Sequence, residues 1–279
     1  MNNKLRLVFS YYITLNNEIS FIHKLHIALL KKYINIFNDI DFIILIDDVN
    51  NEDAINNHKS YIIEQLNRND INFIIEKYDQ KFKEGKIYVK YIIDRLNEYI
   101  DDLVFFGYTK GLDDKCLNNI ENTKLWISLM YFMNFDYIDD VIEKLLDDTN
   151  YICYGTLYHN HHNSIISKYT WKYIGGYHWI NPKRLLEYID KNCINIEFVH
   201  KIDMKVRTSI ETFLPNILDY INVAFLNDQI YNKDTNTLMY NHHNIEYVEI
   251  LYCACMYLQY DDYLRFSNFY NNEIKCINI

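Results

Sequence analysis

Proline and glycine are scarce. Only two prolines and six glycines occur in 279 residues, and no Pro-, Gly- or Ser-rich linker divides the chain, so one large domain is expected over 1–279. Cysteine occurs six times without a C-x-x-C rhythm, which argues against a zinc ribbon or a disulfide framework. Reduced, buried thiols fit an intracellular protein, in the cytoplasm, or the host cytoplasm if the source is viral. Uninterrupted apolar runs of about 18 residues are missing, so no membrane span is expected, and the first residues show no signal-peptide pattern. Basic excess is missing too. With 28 Lys+Arg against 38 Asp+Glu the net charge is −10, which excludes a general nucleic-acid binder because phosphate neutralisation needs a basic face. A small anionic ligand held by a few local cations stays compatible with that balance.

What is abundant is apolar and aromatic. Hydrophobic residues make up 49% of the chain, with 27 Tyr and 15 Phe, enough for a sizeable core. The enrichment in Asn, Ile, Tyr, Lys and Asp has the look of coding bias from an AT-rich genome.

Apolar runs alternate with helical periodicity through the first half. Leu5 to Ile13, Asp41 to Ile46, Ile71 to Glu76 and Leu103 to Phe106 have the character of strands, the second being the continuous apolar type buried on both faces of a parallel sheet. Between them, Glu18 to Phe37, Asn51 to Asn67 and Ile87 to Ile100 carry apolar residues at helical spacing. Strands alternating with helices predict a doubly wound α/β sheet built from right-handed crossovers. Thr123 to Leu146 predicts a long helix with a break at Asn134 to Asp136, Tyr151 to Leu157 a further strand, and Leu214 to Leu226 and Ile245 to Tyr270 two aromatic helices suited to a homodimer surface. Asp228 to Asn244 is polar and fits a short hairpin.

Four places carry candidate chemistry. Asp47 and Asp48 follow the second strand, at the carboxyl edge where open α/β sheets place ligands. Gly107-Tyr108-Thr109-Lys110-Gly111-Leu112-Asp113-Asp114 offers free amides, a hydroxyl and a cation at the end of the fourth strand, a combination that suits a diphosphate and equally suits a turn with a solvated lysine. Tyr173-Ile174-Gly175-Gly176-Tyr177-His178-Trp179-Ile180 places adjacent glycines among aromatics just before Asn181-Pro182, a turn entering a helix. Aromatic rings stack on the apolar C–H face of a pyranose, so this stretch suits a sugar. His159, His161 and His162, with His242 and His243 downstream, offer imidazoles for a transition metal or form a solvated loop.

In this order the pieces resemble a group of GT-A-type glycosyltransferases of bacterial surface-polysaccharide clusters and large DNA viruses. The matching elements are Glu84-Gly85-x-x-Tyr88, the strand ending in Tyr-Thr-Lys-Gly, Trp126 with Met130, Tyr131 and Phe132, Tyr154 to Thr156, the Gly-Gly-Tyr-His-Trp-Ile stretch, and Arg207 with Glu211, together covering about residues 4–220. The resemblance implies a GT-A-like, mostly parallel sheet flanked by helices, with residues 1–115 as the nucleotide-sugar-binding half, 116–220 as the acceptor and catalytic half, and 221–279 as a helical extension. It implies transfer from a nucleotide-diphosphate sugar to a glycan or other acceptor hydroxyl with inversion. Ser10 and Tyr11 would flank the base, and Thr109, Lys110 and Gly111 the diphosphate. Gly175, Gly176, Tyr177, His178, Trp179 and Arg207 would meet the sugar and acceptor, and Glu211 would be the catalytic base. Tyr108 stands where the family has histidine, and no clear Asp-x-Asp stands at the expected strand end. Asp47, Asp48, Asp113 and Asp114 are therefore the candidates for a divalent Mn or Mg ion, and a non-catalytic sugar or nucleotide-sugar binding module that kept the fold is the alternative.

Overall fold

The computed structural model describes residues 4–79, 87–109, 112, 120–147, 151–155, 158–160, 171–173, 176–195, 223–225, 260–275 and 277. The first strand, β1 (Lys4–Tyr12), leads through a short connection into α1 (Phe21–Tyr33), whose last turn tightens into a 3-10 turn at Ile34–Ile36. The apolar run of β2 (Asp39–Ile46) follows, and its seven C-terminal residues are all buried. Helix α2 (Glu52–Leu66) starts where the Asn51 side chain accepts from the Ala54 amide at 3.2 Å, and it ends on Asn67 in the left-handed region (φ 52°, ψ 42°). Next come β3 (Asn72–Lys77), a π-helical turn at Val89–Ile93 and β4 (Asp102–Tyr108).

The helix expected over Ile87 to Ile100 is therefore much shorter, with turns from Asp94 onward. The long helix is present as α3 (Ile120–Phe135) and α4 (Ile138–Ile142), broken at Asp136 and Tyr137 and followed by a π turn at Glu143–Asp147. A helix that is apolar on every side belongs inside a protein, and α3 is buried from Asn122 to Phe135.

The later strands are short: β5 (Cys153–Gly155), β6 (Tyr158–Asn160), β7 (Trp171–Tyr173), β8 (His178–Ile180) and β9 (Val223–Phe225), with α5 (Pro182–Lys191) after β8 and α6 (Tyr260–Phe269) near the end. Val223–Phe225 is a strand, not the helix expected there. It pairs parallel with β5 and closes one edge of the sheet.

Among the described residues the main sheet has seven strands in the order β3-β2-β1-β4-β8-β5-β9, and β6 and β7 form a separate antiparallel pair. Pairings are parallel except on the two sides of β8, which runs against β4 and β5. The protein is thus α/β, with a mixed, mostly parallel sheet flanked by helices. One face of β1 meets α1 and α2, where Phe9 lies 5.8 Å from His26 and Tyr11 5.5 Å from His58, measured between ring centres. On the other face Phe106 packs against Tyr88 beside the π turn.

One hydrophobic cluster runs from Leu5 to Ile274. Helix α6 joins it through Phe266 and Phe269, which meet Phe132 of α3 at 5.4 and 5.8 Å. The described aromatic face of that C-terminal helix is therefore committed to the chain's own core. At the amino edge of the sheet Arg6 ties three strands together, meeting Asp39, Asp41 and Asp102 at 3.2, 3.0 and 2.7 Å.

Candidate functional site at the carboxyl edge of the sheet

The strand order reverses between β1 and β4. From β1 the chain crosses to β2 on one side, and from β3 it returns to β4 on the other, which makes the carboxyl ends of β1 and β4 the topological switch point and the place of a candidate crevice. In open α/β sheets this is where ligands bind.

The two helices that cover this face run side by side in the same direction. Lys124 lies over the Phe21 ring at 5.3 Å, Tyr131 faces His26 at 5.7 Å, and Phe135 stacks on Tyr33 at 5.0 Å. Position numbers rise together along α1 and α3, so both amino termini lie at the carboxyl edge of the sheet. A helix amino terminus carries partial positive charge and unpaired amides, and two of them favour an anion there. Lys124, in the first turn of α3, adds a buried cation 3.5 Å from Glu121.

Tyr12, the last residue of β1, is the junction of the crevice. Its amide donates to Thr109 Oγ1 at 2.9 Å, and the Thr109 amide in turn donates to the Ser10 carbonyl at 2.9 Å, so the ends of β1 and β4 are stitched together. The Tyr12 hydroxyl donates to Asp47 at 3.1 Å, and its ring lies 4.1 Å from that of Tyr78, just past β3. All three side chains are half-buried, and for Tyr12 and Asp47 this contrasts with the covered interiors of β1 and β2 behind them.

Two histidines stand behind this edge. His23, in the first turn of α1, and His58, in the middle of α2, are fully buried with ring centres 5.3 Å apart, and Tyr11 contacts both. Burial, which disfavours the charged ring, lowers the His23 pKa to about 4 against a partial offset from the Tyr12 carbonyl, with a further small push from His58. Burial likewise lowers His58. Desolvation holds the Tyr11 phenol protonated, well above the ordinary tyrosine range.

Several expected site residues lie elsewhere than the resemblance implies. Ser10 and Tyr11 are buried within β1. Among the described residues the Ser10 hydroxyl has no hydrogen-bond partner, and the Tyr11 hydroxyl is occupied by His58 Nδ1 at 2.9 Å, so the half-buried ring at this strand end belongs to Tyr12. Strand alternation explains the difference, since Tyr11 points under α1 and α2 while Tyr12 ends the strand at the mouth. Thr109 does reach the crevice.

Gly176 takes φ 70°, the left-handed turn that favours glycine, but the three residues after it turn inward. The Tyr177 hydroxyl donates to the Tyr108 carbonyl. His178 lies between the Gly176 carbonyl (3.1 Å) and the Tyr88 hydroxyl (2.9 Å), and burial lowers its pKa to about 3. Trp179 stacks on Phe37 at 5.8 Å and donates to the Asn134 carbonyl at 3.3 Å. All three are buried because β8 is an interior strand covered on both faces, so their rings face protein and none presents a face to a pyranose.

Asp47 and Asp48 diverge. Asp47 accepts from Tyr12, whereas Asp48 turns to the Asn50 amide at 3.0 Å, and the pair forms no chelate. Among the described residues no three His, Cys, Asp or Glu side chains converge on a metal position, and no helix is long and apolar enough to cross a membrane. Lys110, Gly111, Asp113, Asp114, Gly175, Arg207 and Glu211 lie outside the described residues, as do His161, His162, His242 and His243. Sequence reasoning passed over Tyr12, Tyr78, His23 and His58. The first apolar run continues to Ile13, so no local pattern marked Tyr12 or the other three.

No known family profile and no curated protein matches the sequence. Among solved structures, mannose-6-phosphate isomerase from Helicobacter pylori is similar at 11% identity over 81% of this chain and 98% of that one, with a TM-score of 0.40. A likeness this low carries neither fold nor activity across.

Proposed function

We propose that the chain is a GT-A-like glycosyltransferase that moves a sugar from a nucleotide-diphosphate sugar to an acceptor hydroxyl with inversion. The observation that carries this reading is the switch-point crevice between β1 and β4, on which the amino termini of α1 and α3 converge. A diphosphate is favoured there by two helix ends and by Lys124, with Thr109 beside them and Lys110 and Gly111 next in sequence. The Tyr12 ring, backed by Tyr78, and the Asp47 carboxylate suit a nucleobase, which has a flat face for stacking and edge N–H groups that a carboxylate accepts.

Transfer requires a base, because an alcohol hydroxyl does not ionise near neutrality. Glu211 takes the acceptor proton as the acceptor oxygen bonds to the anomeric carbon and the bond from that carbon to the diphosphate oxygen breaks. The departing diphosphate then carries added negative charge, which Lys110 and the helix ends offset. Asp47 and Asp48 diverge and do not fit a divalent ion as a pair.

A second reading has one specific observation in its favour. Tyr177, His178 and Trp179 are buried, so the aromatic platform expected for the acceptor is absent from that stretch, as in a module that binds a nucleotide sugar without turning it over. A thermal-shift screen against UDP, GDP, dTDP and CMP sugars, with and without Mn²⁺, followed by a nucleotide-release assay on each hit, separates the two. Stabilisation with nucleotide release supports the transferase, and Glu211→Gln should then abolish transfer while leaving donor binding intact. Stabilisation without release supports the module. No stabilisation by any donor refutes both.

A further inference from the structure

The connection from β1 to α1, residues 13–20, borders the switch point and is anchored by two buried imidazoles. His23 holds both of its ends, with Nε2 donating to the Tyr12 carbonyl at 2.7 Å and Nδ1 accepting from the Ser20 amide at 3.0 Å. His58 reaches its middle from α2, with Nε2 donating to the Asn17 carbonyl at 3.3 Å and Nδ1 accepting from the Tyr11 hydroxyl. A carbonyl only accepts and an amide N–H only donates, so these partners fix His23 as the neutral Nε2–H tautomer; the Asn17 carbonyl places a proton on His58 Nε2, and burial disfavours a second one on that ring.

Between the anchors the chain is wound tightly. Asn17 sits at φ 57°, its amide donates to the Thr14 carbonyl at 2.9 Å, and the Asn16 side chain accepts from Thr14 Oγ1 at 2.6 Å and from the Glu18 amide at 3.3 Å. A left-handed non-glycine residue persists where its surroundings over-determine it. The core gains little from this connection at its tip, since Leu15 is 76% exposed. Yet His23 grips the carbonyl of the same Tyr12 whose amide is bound by Thr109 and whose side chain meets Asp47 and Tyr78.

We propose that His23 and His58 are positioning residues of the donor site, holding the 13–20 connection and the Tyr12 peptide in the shape that receives the nucleotide sugar. Ordering of the loop is then completed in folding, and little is left to spend when the ligand arrives. This rests on the nucleotide-sugar reading of the crevice.

Two variants of one residue isolate the effect. His58→Gln can place an N–H where Nε2 stood and keep the Asn17 carbonyl, whereas His58→Asn can meet the Tyr11 hydroxyl but falls short of Asn17. Hydrogen exchange over 13–20 is read in the ligand-free protein, and donor affinity is read by titrating the nucleotide sugar that gives the largest thermal shift with the unmodified chain.

His58→Asn is expected to speed exchange in the loop and to weaken donor binding about tenfold, the scale of one lost hydrogen bond. His58→Gln is expected to restore both at a similar melting temperature. Faster loop exchange with unchanged donor affinity overturns the proposal, and so does unchanged loop exchange in His58→Asn. If His58→Asn does not fold, Tyr11→Phe removes only the hydroxyl that orients His58, and the same two readouts apply with the same meanings. If the unmodified chain binds no nucleotide sugar, the reading of the site fails and the positioning role falls with it. Loop exchange in the variants then still shows whether the imidazoles hold the loop, so the two failures are distinct.

Discussion

Replacing Arg6 tests the amino edge of the sheet, the edge opposite the crevice. The guanidinium is 19% exposed, and two of its carboxylate partners are nearly covered, Asp41 at 6% and Asp102 at 8%. Burial alone would weaken the Arg6 charge, but the hydrogen bonds and attraction of Asp102 and Asp41 outweigh it and raise the pKa. Its plane also lies 4.7 Å from the Tyr99 ring centre. Arg6→Met keeps much of the packing volume and leaves Asp41 and Asp102 as covered charges without their cation. Breaking a buried pair from one side costs about 3–5 kcal/mol, which for a chain of this size lowers the melting temperature by roughly 6 to 20 °C. Urea unfolding followed by circular dichroism reads the loss directly. Adding Asp41→Asn and Asp102→Asn to Arg6→Met should recover a large part of it, because the stranded charges are then gone. A loss below about 1 kcal/mol, the scale of an exposed ion pair, would refute the reasoning.

Other outcomes follow from local geometry. Trp179→Ala should cost about 3–5 kcal/mol by denaturant unfolding, because a fully covered indole leaves a cavity among Phe37, Phe105 and Phe135; a loss under about 1 kcal/mol means the ring faces solvent or ligand instead. Gly107→Ala should cost about 1–3 kcal/mol, since a Cβ there would stand 3.1 Å from the rings of Phe9 and Phe105, and calorimetry that finds no loss shows those rings can yield. Asn67→Ala should destabilise by about 1 kcal/mol while Asn67→Gly should not, because the cap of α2 is left-handed. Stability should also fall with acid. His23 and His178 titrate near 4 and 3 in the fold but near 6.5 in the unfolded chain, so below pH 6.5 the unfolded state binds more protons, and each residue withdraws about 2–3 kcal/mol by pH 4.5. Urea midpoints at pH 8 and 4.5 test this, and His178→Phe should flatten the acid limb; an equally steep limb in that variant would exclude His178 as its source.

The parallel half of the sheet was legible because burial on both faces leaves no room for polar alternation. Phe42 to Ile46 fitted an interior strand because helical patterns flank it on both sides, and Asn51 and Asn67 bracketed α2 with the side chains that helix ends require. Val223–Phe225 was not legible, because a short apolar run has the same composition in a buried strand and in a buried helix, and only its pairing with β5 separates them. The aromatic stretch at Tyr177, His178 and Trp179 misleads for a related reason. An indole that stacks on a sugar and one that stacks on Phe37 are the same side chain, and the choice is made by the strands on either side of β8, one of them more than seventy positions earlier in the chain. The histidines show the same limit from the other direction. His58 meets a tyrosine hydroxyl on β1 and a carbonyl in the loop beyond it, partners 47 and 41 positions away, and no local spacing encodes either contact. What a sequence marks locally is where a strand ends. At β1 even that mark falls one residue late, since the apolar run continues to Ile13, yet Tyr12, which ends the strand, is the residue whose amide, carbonyl, ring and hydroxyl each meet a different element. Tyr12→Phe, which removes the hydroxyl that donates to Asp47, should leave the melting temperature within about 1 °C, as expected where a half-exposed hydrogen bond is lost, and should weaken nucleotide-sugar binding. A variant that binds as tightly as the unmodified chain would show that Asp47 and Tyr12 act at this edge without meeting the ligand.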